Sequence, residues 1–353
     1  MYILLAILLF GLLIMTHELG HFMAAKLSGV RVNEFSICMG PAIWKKTVGE
    51  TTYALRCIPI GGYCAMEGED EDSEDPRAFT RAKPWKRAII LVAGSLMNFL
   101  TGLVILLALY SAVAGFNTAK IVDFYPDCPL QSDQGLQVGD EIYKIDGHRI
   151  YQYSNVGTYL GRNNTGVYDL EIKRNGTLVK LNDFPMEKRA YQNEDGETVY
   201  LYGLFFGMEE KTVGSVLKNA WYSSLDFVRM VWMSLSDLVR GMVSINDMSG
   251  PVGIVSIIAQ TGETSETVRA AALNIAYLGA FIAVNLAVMN LLPIPALDGG
   301  RIFFLLVTVI LEKLLRRKID PKYEGYIHAA GMILLLAFIA FITLKDIWKL
   351  IVR

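Results

Sequence analysis

The fold class predicted by this sequence is a polytopic α-helical membrane protein with about four transmembrane helices and two β-rich segments. Three observations predict it. First, 53% of the 353 residues are hydrophobic and the mean hydropathy is +0.35, too apolar for an ordinary soluble chain. Second, the apolar residues fall in blocks: Tyr2–Ala25, Ala88–Phe116 and Tyr326–Ile347 each reach the roughly 20 residues that cross a bilayer, and Ala270–Leu311 is longer but broken. Third, the segments between the blocks alternate and are rich in β-formers. The net charge of -2 says nothing about nucleic acid, which is not an expected partner; the apolar blocks make the lipid bilayer one.

The elements follow in order. Residues 1–27 form the first span. It begins at residue 2 without a basic n-region or a small-residue cleavage site, so it is expected to be retained. Residues 28–86 are read as a membrane-face β region, in which "TTYALRCIPIGGYCAME" suggests a hairpin or small sheet punctuated by Gly61-Gly62. The acidic "EGEDEDSEDP" after it reads as a solvated loop, because like charges repel and extend the chain. Residues 87–116 are the second span. Residues 117–190 are soluble in composition, with turn signals at Asp146-Gly147 and Asn175-Gly176 that fit a compact β-rich domain. Residues 191–269 are a linker plus an amphipathic helix, whose stripe of Leu217, Trp221, Leu225, Val228, Trp232, Leu235 and Val239 favours lying in the interface over spanning. Residues 270–312 hold the third, broken span and residues 326–347 the fourth. Arg81, Lys83, Lys86 and Arg87 before the second span, and Lys313, Arg316, Arg317, Lys318 and Lys322 before the last, are expected on the cytoplasmic side. That orientation places the N-terminus and the 117–190 domain outside the cell membrane. The four cysteines make no disulfide framework, since Cys38, Cys57 and Cys64 fall in the cytoplasmic segment and Cys128 stands alone outside.

Chemistry concentrates in "MTHELGHFMAAK". The chain has four histidines, and two of them, His17 and His21, close an almost wholly apolar run in which ionisable groups are costly. Four residues apart on a helix, the imidazoles share a face and can share a metal, with Glu18 beside the water that the metal would activate. Two neutral nitrogens and an open position suit Zn²⁺. A third ligand is needed. Asp298 lies in the apolar "NLAVMNLLPIPALDGGRIFF", where Pro293 and Pro295 release backbone groups that lipid cannot satisfy. Counting about 1.5 Å per residue puts His17 and Asp298 at the same depth. A helix cap at a kink is the other role open to Asp298, and His328 is the rival ligand.

Two resemblances follow. "GLQVGDEIYKIDGHRI" resembles the helix-to-strand signature of a bacterial PDZ domain, which implies binding of extended peptide C-termini by strand addition. Nearly the whole chain resembles the site-2 protease family of intramembrane metalloproteases, in its bacterial RseP-type branch with a single PDZ domain. The resemblance rests on HELGH, "PIGGY" at Pro59–Tyr63, "AGSLMNF" at Ala93–Phe99, "SGPVGI" at Ser249–Ile254 and "NLLPIPALDGG" at Asn290–Gly300. It implies zinc held by His17, His21 and Asp298, Glu18 as general base, and Asn290, Asn98, Gly61 and Gly62 near the substrate. It also implies single-span membrane substrates already trimmed outside, such as anti-sigma factors, or remnant signal peptides. Ser95 in place of the usual proline and "CMGP" at Cys38–Pro41 depart from the family pattern without touching a ligand.

The competing reading is a non-catalytic PDZ-bearing receptor or scaffold with a structural metal. Glu18 separates the two, because a scaffold needs no carboxylate beside an open metal position and structural zinc sites are closed by four protein ligands. A metal transporter fits less well, since the polar residues converge on one site rather than a path.

Overall fold

In the computed structural model, which describes residues 1–69, 73–192, 197–244, 248–316 and 322–351, the chain divides into two units. One comprises Met1–Leu109 with Ser224–Arg353, the other Tyr110–Ser223. The acidic residues 70–72 and the basic Arg317 and Lys318 lie outside the described residues. Helix α1 (Tyr2–Ser28) is followed by strands β1 (Val32–Val48) and β2 (Thr51–Met66) and helix α2 (Pro84–Ser111). Then come β3 (Gly115–Phe124), β4 (Glu141–Ile145), β5 (His148–Arg149), α3 (Tyr153–Leu160), β6 (Val167–Arg174), β7 (Thr177–Pro185), β8 (Arg189–Gln192), β9 (Thr198–Leu201) and β10 (Leu204–Glu210). Five helices complete the chain: α4 (Val213–Val239), α5 (Pro251–Glu263), α6 (Val268–Asn290), α7 (Asp298–Leu315) and α8 (Lys322–Ile351).

Among the described residues, four helices are long and apolar enough to cross a membrane: α1, α2, α6 and the Gly325–Lys349 stretch of α8. The broken third block resolves into α6 and α7. The residues between them, 291–297, contain Pro293 and Pro295, which cannot donate to a helical ladder. Helix α1 ends where Gly29 takes a left-handed φ of 79° and its N–H returns to the Ala25 and Lys26 carbonyls. Its C-terminal half packs with β1, β2 and α2 around Ala25, Val32, Phe35, Cys64 and Ile90. Its N-terminal half packs with α5 and α6 around Ala6, Leu13, Ile258 and Ile282. In α4, Leu217, Trp221, Trp232 and Val239 of the apolar stripe are exposed while Asp226 and Asp237 are buried. That part of the stripe faces outward, whereas Phe227 and Val231 of the same helix are buried.

Strands β1 and β2 form a more folded sheet than a plain hairpin. The turn is at Gly49 (φ 62°) and Glu50, so Gly61-Gly62 lies within β2 instead of marking the turn. Beyond the antiparallel ladder that starts at Val48 and Thr51, Glu34 pairs with both Thr52 and Ala65, and Ile37 with both Leu55 and Gly62. Residues 34–37 thus lie between two runs of β2, and the Cys64 end becomes a sheet edge. Arg56 locks this fold: its guanidinium donates to Ser36 Oγ, the Gly40 carbonyl, Glu34 Oε1 and Tyr63 Oη at 2.5–2.9 Å.

The other unit is strand-rich. Its sheet has the order β10-β3-β4-β6-β7, with β5 paired to β4, and helix α3 buries Val156, Tyr159 and Leu160. Arg174 holds Asp140, which is 1% exposed, in a two-point ion pair of 2.7 and 2.8 Å. The sheet continues past residue 190, the boundary expected from sequence. Strand β10 closes it against β3, from Leu204 opposite Phe124 to Glu210 opposite Gly115. The seven residues of β10 carry no local turn signal, because their pairing is with a strand some 90 residues earlier in the chain.

Candidate metal centre

The helical repeat of α1 sets His17 and His21 on one face, with Nε2 atoms 3.1 Å apart. Helix α2 fixes the second ring: His21 Nδ1 lies 2.8 Å from the Ile90 carbonyl. A carbonyl only accepts, so Nδ1 carries the proton and Nε2 presents its lone pair. Gly94, also on α2, leaves room for both rings. A Cβ there would lie 2.8 Å from His17 Cε1 and 2.7 Å from His21 Cε1. Asp298 opens α7, directly after the proline-bearing turn, and its Oδ2 comes within 3.1 Å of His17 Nε2 and 3.3 Å of His21 Nε2.

Three donor atoms, two from adjacent turns of α1 and one from the start of α7, therefore face one point. Asp298 Oδ2 is buried with no hydrogen-bond partner, and the Nε2 lone pair of His21 is aimed at it. Lone pairs so disposed repel unless a cation lies between them. Zinc bonds of about 2.0–2.1 Å in a tetrahedron give ligand edges of about 3.3–3.4 Å, and the observed 3.1–3.3 Å fits such an ion with little adjustment. The donor set of two imidazoles and one carboxylate is of the kind zinc takes in catalytic sites, where a position is left open.

A cavity of about 230 Å³ opens beside this cluster, lined by His17, Glu18, His21, Asn290 and Asp298 among others. Glu18 points into it from α1, and its Oε2 accepts the Cys64 N–H from the edge of β2 at 3.0 Å. Asn290, the last residue of α6, has its Nδ2 3.5 Å from His17 Nδ1, and Asn98 Nδ2 lies 3.4 Å from the same atom. Rotation of either amide brings an oxygen there instead, which is the partner His17 needs if Nε2 is to coordinate. Asn98 is 1% exposed and touches His17 from behind instead of lining the cavity. Gly62 stands beside Glu18, a Cβ built on it lying 3.9 Å from Glu18 Cγ, while Gly61 (φ 82°) packs on Met39. His328 is away from the cluster, with Nδ1 3.2 Å from the Ala296 nitrogen.

Several contributors carry no sequence signature of their own. The Ile90 carbonyl and the Cys64 N–H are backbone groups, which any residue supplies. Arg301, one turn after Asp298, lines the cavity and pairs with Glu69 from the segment after β2. Gly94 was visible within "AGSLMNF", but only the crossing of α1 and α2 explains the glycine.

Comparison with known proteins agrees with this chemistry. The sequence matches Peptidase family M50 over residues 5–338. It is 36% identical over 351 residues to a protein of Clostridium perfringens that carries the name of a zinc metalloprotease, with 98% of each chain covered. Zinc metalloprotease RasP of Oceanobacillus iheyensis is 29% identical, over 98% of both chains. Regulator of sigma-W protease RasP of Bacillus subtilis is 25% identical, over 98% of this chain and 97% of the relative. With the family matched across nearly the whole length, on a frame of membrane-length apolar helices, the chain belongs to peptidase family M50, the site-2 proteases, and is an intramembrane zinc metalloprotease.

Proposed function

We propose that this protease cleaves single-span membrane proteins within the bilayer, with His17, His21 and Asp298 as zinc ligands and Glu18 as general base. The supporting observation is the convergence of His17 Nε2, His21 Nε2 and Asp298 Oδ2 within 3.3 Å of one another, at the wall of a cavity that Glu18 also lines. Zinc supplies Lewis acidity and a water that ionises near neutral pH. Glu18 accepts the proton of the attacking water and returns it to the departing amide nitrogen, so that one C–O bond forms as one C–N bond breaks. The Ile90 carbonyl keeps His21 in the ligating tautomer. Asn290, at the cavity wall, donates to the substrate backbone. A closed structural metal site would have four protein ligands, whereas three candidate ligands meet among the described residues, beside open space.

A helical span hides its carbonyls in hydrogen bonds, so it unwinds before it is cut. The Cys64 edge of β2 reaches Glu18 and offers the unwound segment a strand to pair with. One relative is named for regulating a sigma factor, which favours trimmed anti-sigma factors as the substrate class, with remnant signal peptides a further one. The positive-inside pattern supports a multi-pass cell-membrane protein with the N-terminus and strand-rich unit outside and the active site toward the cytoplasm. That external unit serves as a PDZ domain that takes peptide C-termini.

The test is Glu18→Gln. It keeps the shape of the side chain but removes the base, so cleavage of a single-span substrate should fall by about 10²–10⁴-fold while bound zinc stays at wild-type content. Retained turnover removes Glu18 from the chemistry.

A further inference from the structure

We propose that His328 is a positioning residue for the metal centre, its Nδ1 accepting the Ala296 N–H and so holding the turn that delivers Asp298 to His17 and His21. The inference rests on Asp298 being a zinc ligand. Ala296, two residues before Asp298, has a φ of 79°, in the left-handed region that a residue with a Cβ enters only at a cost of about 1–2 kcal/mol. Something outside the turn has to hold it there. Within the turn, Ile294 N–H donates to the Leu292 carbonyl at 2.7 Å and Leu297 N–H to the Ile294 carbonyl at 3.2 Å. The Ala296 N–H instead reaches across to His328 Nδ1 on α8, at 3.2 Å.

Two further contacts make α8 a clamp on this turn. Gly331, three residues after His328 and on the same face, lies so close that a Cβ would approach the Pro295 carbonyl carbon and oxygen to 3.1 Å. Phe304 of α7 packs edge-on against the His328 ring, centroids 5.4 Å apart. His328 and Gly331 together press on Pro295 and Ala296, and α7 starts with no side-chain cap of its own at Leu297. The position of Asp298 Oδ2 is therefore set from α8, through the backbone. With Nδ1 accepting from Ala296, the neutral ring carries its proton on Nε2, so His328 offers the metal no lone pair.

The experiment compares zinc affinity, by chelator competition on the purified full chain, with cleavage kinetics for His328→Phe, His328→Asn and Asp298→Ala. Phenylalanine preserves the ring packing on Phe304 and lacks an acceptor. Asparagine offers Oδ1 to the same N–H. The expected result is zinc affinity about 10-fold weaker in His328→Phe, with a lower kcat, and near wild type in His328→Asn. Wild-type zinc affinity in His328→Phe, or equal impairment in the two His328 variants, overturns the inference. Undiminished zinc affinity in Asp298→Ala overturns the ligand assignment instead, so the two failures are distinct.

Discussion

Of the two candidate histidine ligands, His21 is held by the Ile90 carbonyl and His17 by the amides around its Nδ1, and both rings pass over the bare backbone of Gly94. Gly94→Ala therefore tests whether that clearance matters. The added methyl should displace both imidazoles, weakening zinc binding by about 10-fold and destabilising the protein by roughly 1–3 kcal/mol through overpacking. A chelator titration and a thermal melt in detergent measure the two effects, and wild-type values in both would mean that the helices can part at no cost. At this scale the residues of the candidate site were largely readable in sequence. The spacing of His17 and His21 follows from the helical repeat alone, and an aspartate at position 298 in an apolar segment needs a reason to be there. The partners of those residues were not readable, because a backbone carbonyl or N–H bears no residue signature.

Helix α5 shows what an element takes from outside itself. Its N-terminus at Gly250 has no side-chain cap of its own, and Asp346 of α8 supplies one, Oδ2 accepting the Gly250 and Gly253 N–H groups at 2.8 Å each. Lys345 adds a bond to the Met248 carbonyl at 2.5 Å. Asp346→Ala should cost about 1.5–3 kcal/mol, the worth of hydrogen bonds to a charged group, read as a lower melting temperature in detergent with zinc affinity unchanged. An unaltered melt would show that α8 is held by other contacts. The spans were visible as apolar blocks because length and composition define them. The β1–β2 sheet was visible as β but not in its turn or register: Gly61-Gly62 resembles punctuation locally, whereas the doubled pairing of residues 34–37 is decided by long-range contacts.

As a whole, the molecule joins a unit that carries the candidate metal centre to a strand-rich unit excisable at a defined place. Gly115 and Glu210 are register partners on adjacent strands, so a short linker between them can replace residues 116–209. The shortened protein should still cut a short single-span peptide but lose its discrimination against the same span bearing a large external domain. Paired cleavage assays in liposomes check this, and loss of activity on the short peptide would make the strand-rich unit necessary for folding or catalysis. Length and composition sufficed for the membrane class, and the motifs sufficed for the family. The closure of the sheet by β10 and the clamp of α8 on residues 295–296 required the fold, since both join residues far apart in the chain. The central claim is the ligand set, and zinc K-edge X-ray absorption on the purified protein tests it most directly. The account predicts a first shell of nitrogen and oxygen at about 2.0–2.1 Å with two imidazoles. Cys64 lines the same cavity, so a sulfur shell at about 2.3 Å, or an imidazole count other than two, would contradict it.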